Sequence, residues 1–97
     1  MTDRFTQRGG AQIGQWIATW PFGVLAADDT SIELSVISKK AFPKADIVRL
    51  SPYRNMLGTG LRIEHTVKSE TSFIVFWPLD FDGLKANLIR LGYNVMD

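Results

Sequence analysis

The sequence predicts an α+β, mostly-β domain: a curved, largely antiparallel sheet or open barrel of six to seven strands, closed by one C-terminal helix. Three observations carry that prediction. Short apolar runs alternate with polar residues at strand spacing from Ile13 to Trp77. Turn-forming residues separate the runs at short intervals. One amphipathic stretch at helical spacing, Phe81 to Leu91, closes the chain.

Residues 1–10 read as a flexible tail ending in Gly9-Gly10, with a single domain over 11–97. Ile13 to Trp20 is predicted as a first strand. Pro21 removes a ladder donor, so the chain must bend there or begin a new strand, Phe22 to Ala27. Asp28-Asp29-Thr30 is a polar hairpin turn. Ser31 to Ile37 follows, with Ile32, Leu34 and Val36 facing inward and Ser31, Glu33 and Ser35 facing water.

Ser38 to Lys44 reads as a loop. Ala45 to Tyr53 is the next strand, with Val48 and Leu50 on one face, and Pro52 marks an edge or a bulge. Gly58-Thr59-Gly60 is read as a turn before a strand from Leu61 to Val67. Ser72 to Trp77 is apolar on both faces, which predicts cover on both sides. Asp80 or Asp82 suits the helix N-terminus. Phe81, Leu84, Leu88 and Leu91 form the buried stripe, widened by Ile89, and Gly92 fits the left-handed position beyond the last turn.

Composition narrows the function classes. The chain has 97 residues, enough to bury about 65% of its surface in one core. It is 45% apolar, too rich for disorder, and has no cysteine, so neither disulfides nor thiolate metal sites arise. The N-terminus lacks the apolar segment of a signal peptide, and the longest apolar run, Phe73 to Trp77, is too short to span a membrane; a cytoplasmic setting is the expectation. The net charge is +1 but is spread unevenly. Gly9 to Ser38 holds no Lys or Arg, whereas Lys39 to Lys68 holds seven against Asp46 and Glu64.

Element order and apolar pattern resemble the pleckstrin-homology-like superfold, in particular its small bacterial and GRAM-like relatives. The stretches that carry the resemblance are 18–25 with the hairpin into Ile32-Glu33-Leu34, 46–50 with 60–65, and 73–77 with the helix to Leu91. The resemblance spans residues 13 to 95 and implies seven strands, the seventh drawn from the segment broken at Pro21. Phosphoinositide-binding members place Lys and Arg in the first two strands and their loop. Residues 9–38 have none, so no lipid-binding residues are carried across. The fold hosts lipid binders, peptide binders and oligomerisation modules alike.

No residue set reads as catalytic, cofactor-binding or metal-ligating. His65, the single histidine, shares a face with Leu61, Ile63 and Val67 and is expected to be structural. The aspartates 28, 29, 80 and 82 occupy turn and cap positions that favour Asp for structural reasons. Lys39, Lys40, Phe42 and Lys44 form the candidate interaction loop: an apolar side chain among three lysines could meet an anionic membrane or a protein, although pinning of the loop by a buried Phe42 is the simpler reading. Arg49, Arg54 and Arg62 form a candidate basic face, too sparse and too mixed with acids for nucleic acid. Trp16, Trp20 and Trp77 exceed what a small core needs, which places one at an interaction surface. The expectation is a non-enzymatic protein-interaction or self-association module, with weak anionic-membrane binding as the alternative.

Overall fold

A computed structural model of the chain describes residues 3–56 and 58–97. Strands β1 (Phe5–Ile13), β2 (Trp16–Ala27), β3 (Ser31–Ser35), β4 (Lys39–Pro43), β5 (Ile47–Asn55), β6 (Gly58–His65) and β7 (Ile74–Pro78) precede helix α1 (Phe81–Arg90). They form one curled antiparallel sheet in the order β4-β3-β2-β1-β7-β6-β5. Pairing of β1 with β7 joins the two ends of the chain and leaves β4 and β5 as the outer strands, which makes a half-barrel.

Two segments differ from the sequence expectation. Residues 5–10, expected as a tail, belong to the central strand β1, paired with β2 on one side and β7 on the other; Met1 and Thr2 lie outside the described residues. Glycine is what makes this close packing feasible. A Cβ on Gly9 would stand 2.2 Å from the Trp77 carbonyl oxygen, and one on Gly10 2.9 Å from that of Ala18. The Lys39–Lys44 loop is largely strand β4, on the sheet edge beside β3. Charged residues and Pro43 suit such an edge because they discourage further pairing.

Other boundaries shift for local reasons. The two expected strands around Pro21 are one strand, β2, preceded by a turn at Gly14-Gln15. β2 bends by bulging: Gly9 pairs with Gly23 and Ala11 with Ala18, so four residues of β2 lie opposite Gly10 alone. The Trp20–Pro21 bond within the bulge is cis. A second irregularity falls between Ile47 and Arg49, and it turns Val48 out to solvent rather than onto the face of Leu50. Gly58, Thr59 and Gly60 lie in β6 rather than in a turn, and a Cβ on Gly60 would meet Val75 at 2.7 Å. Pro52 lies in the outer strand β5, as an edge proline should.

The core lies between the concave sheet face and the helix. Leu25, Ile32, Leu34, Phe42, Leu50, Leu61, Ile63, Ile74 and Phe76 meet Leu84 and Leu88 there. Asp80 caps α1 by accepting from the Gly83 N–H at 2.9 Å. Gly92, at φ 96°, ends it: the Gly92 N–H donates to the Ile89 carbonyl and the Tyr93 N–H to that of Leu88. Ile89 remains exposed. β7 is covered on both faces. Ile74 and Phe76 face the core, while Val75 is buried on the convex side beside Tyr53, Phe73 and Trp77, whose rings meet edge to face at 5.6 Å and 6.2 Å.

Candidate protein-interaction surface

The N-terminal half of β2 stands apart from the sheet on one side. Trp16, Ile17 and Ala18 pair with β1, but β3 pairs only with Val24 to Ala27. Beyond Val24, β3 ends and the chain turns through Val36, Ile37 and Ser38 into β4. A groove of about 360 Å³ separates the arm, residues 16–22, from that turn, with Ala11 and Ile13 in its lining.

Apolar side chains crowd this region without being used for the core. Trp16 is 74% exposed, Ile17 62%, Trp20 53%, Phe22 67% and Ile37 88%. Three of these are the larger aromatic types that dominate interface energetics. Gly9 to Ala27 contains no charged residue, so the arm itself carries no charge. The arm is nevertheless held in place. The Gly14 N–H donates to the Phe73 carbonyl at 2.8 Å, and the Arg8 guanidinium donates to the Pro21 carbonyl at 3.0 Å.

The expected interaction residues do not form one surface, and of them Lys40 borders this region, in a recess with Trp16 and Ile37. Phe42 is fully buried, its ring 4.6 Å from that of His65, so it is unavailable for insertion into a membrane. The three lysines diverge. Lys39 lies 3.6 Å from Glu33 and Lys40 3.1 Å from Glu70. Lys44 donates to the Leu91 carbonyl at 2.9 Å and rests 4.5 Å over the Tyr93 ring. These contacts tie the β4 region to the protein's own loops and C-terminus.

The three arginines are also dispersed. Arg49 lies 3.5 Å from Glu64 on the neighbouring strand, and Arg62 stacks 5.0 Å from the Phe73 ring centre. Arg54 pairs with Thr59 and shares a recess with Asp80 and Asp82 near the start of α1. Alternation along β5 and β6 sets Arg49 and Arg62 on the convex face and Arg54 on the other.

His65 has both ring nitrogens engaged. The Val67 N–H donates to Nδ1 at 3.0 Å, so Nε2 carries the proton and donates to the Thr71 carbonyl at 2.8 Å. This ties the β6–β7 connection to the barrel and is a structural task. Among the described residues, no three His, Cys, Asp or Glu side chains come together to hold a metal ion.

The arm was only partly visible in the sequence. The surplus of tryptophans pointed to an exposed one, and two are exposed. What concealed the site was the boundary error at Gly14: reading Ile13 to Trp20 as one strand hid the hairpin that carries Trp16 to its tip. Compared with known proteins, the chain matches no family model, no curated protein and no solved structure.

Proposed function

We propose that this chain is a PH-like protein-interaction module that binds its partner on the arm of β2 and the adjoining β3–β4 turn. The observation that carries the reading is the exposure of Trp16, Ile17, Trp20 and Phe22 on an arm without charge, with Ile37 exposed on the adjoining turn. Soluble folds seldom leave such a group uncovered unless something docks there. The PH-like reading is supported by the partly open antiparallel meander of seven strands with a C-terminal helix. Binding rather than catalysis is the role we read, because the exposed surface is apolar and its residues are of types that anchor interfaces.

A double variant, Trp16→Ser with Ile37→Ser, tests it. Side chains kept for docking leave stability within about 0.5 kcal/mol when replaced, as exposed positions do. The same variant should lose most of the fluorescence enhancement of an apolar-surface dye. A large loss of stability with unchanged dye binding would mean that these residues serve the fold instead.

A further inference from the structure

We infer that the occupant of this surface is a second copy of the chain, added antiparallel along the free edge of β2 at Ile17 to Thr19 about a two-fold axis. The inference rests on the docking reading above and adds the partner and its geometry.

Gly14 and Gln15 make a two-residue turn, so Ile13 and Trp16 flank it and pair with each other. In such a hairpin this pair exchanges hydrogen bonds, and the next residue on the strand aims its N–H and C=O outward. That residue is Ile17; Thr19, the first residue of the bulge, has no register partner in β1 or β3. On that side β2 has strand partners only from Val24 onward. Because of the β1–β2 pairing and the Gly14–Phe73 bond, the edge is already extended, which lowers the entropy lost on pairing.

The other two edges of the sheet are guarded by charge, proline or cover, whereas on β2 the bulge and Pro21 begin only after Ala18. β4 carries Lys39, Lys40 and Pro43. β5 is covered at Leu50, which bridges to Val95 and accepts from the Met96 N–H at 2.8 Å. Natural sheets guard edges in these ways to prevent association. The segment Trp16 to Ala18, ahead of that bulge, lies in a stretch from Gly9 to Ala27 with no charged residue to discourage pairing.

A second copy fits what the edge offers. Antiparallel strand pairing is self-complementary, so one patch serves both sides of a two-fold interface. Two copies of the arm meet without opposed like charges, because the arm has none. Taking about 150–250 Å² for a buried aromatic, the five exposed side chains offer roughly 700 Å² per copy, near the roughly 800 Å² per partner of a stable interface.

Sedimentation velocity of the full chain over a wide concentration range tests the inference, alongside Ile17→Lys on the edge and Ile37→Lys on the turn. Each variant is first checked by circular dichroism. The expected result is a wild-type monomer–dimer equilibrium and at least a tenfold weaker association in each folded variant; either one alone suffices if the other fails to fold. A wild-type dimer unaffected by the substitutions would overturn the edge, since association would then lie elsewhere. A wild-type monomer at every concentration would overturn the second copy. In that case the dye measurement on Trp16→Ser/Ile37→Ser separates the two readings. Dye bound by the wild type and lost in that variant keeps the docking surface for a different partner; no dye binding by the wild type removes the docking surface as well.

Discussion

The Tyr93 hydroxyl donates a hydrogen bond to the backbone carbonyl of Asp28 at 2.8 Å, linking the segment after α1 to the β2–β3 hairpin across 65 residues of sequence. Burial, reinforced by the negative charges of Asp28 and Asp29, pushes the phenol up to about 12 from an ordinary 10.0. The folded state therefore favours the protonated phenol. Its contribution to stability is complete below about pH 10 and is lost as pH rises through about 12. Ultraviolet titration should show late ionisation of Tyr93. Tyr93→Phe should remove that late step and cost about 1 kcal/mol through the lost bond.

At the acid end, Asp28 holds its hairpin together. Its Oδ1 accepts from the Thr30 N–H, the Thr30 hydroxyl and the Ser31 N–H at 2.8–3.0 Å, and these bonds hold its carboxyl below the usual value. Glu33 is lowered chiefly by the hydrogen bond from Arg4, at 2.7 Å, with Lys39 adding to it. Both groups favour ionisation when folded, so their stabilisation is present above the ordinary carboxylate range and is lost as pH falls through their folded pKa values. Urea midpoints measured downward from neutral pH should fall below about pH 4.5, and Asp28→Asn with Glu33→Gln should flatten that limb.

Gly9→Ala distinguishes a central strand from a tail. In a tail the change would be neutral. In β1 the added methyl meets the Trp77 backbone oxygen at 2.2 Å, and the strands must separate. We expect a loss of at least about 2 kcal/mol, within the range for overpacked sites, read from chemical denaturation.

Phe42→Ala should act on stability and leave the surface unchanged. The side chain is buried among Ile32, Leu34 and the His65 ring, so truncation opens a cavity costing about 3–5 kcal/mol. Binding to anionic vesicles, if measured on the folded protein, should be no weaker in this variant than in the wild type.

Much of the fold was legible because alternation and capping act locally. The β2–β3 hairpin at Asp28, the buried face of β3, the doubly covered β7 and the capped helix follow from residue type and spacing alone. β1 was hidden because its two glycines resemble a linker; the reason for them, close packing against Trp77 and Ala18, exists only in three dimensions. β4 was hidden because an edge strand guarded by lysines presents a single inward residue, Phe42, and so lacks a repeating pattern. The candidate surface was harder to see still. Exposure of Trp16 and Ile37 depends on β3 ending at Ser35, and no local signal in the sequence announces that.

The most direct test of the docking edge is amide hydrogen exchange at Ile17 and Thr19, measured at low and high protein concentration. The account predicts fast exchange of both amides when the protein is dilute and slower exchange as concentration rises, with the Ala18 amide, which faces β1, protected throughout. Exchange at Ile17 and Thr19 that is independent of concentration, whether fast or already slow, would contradict it.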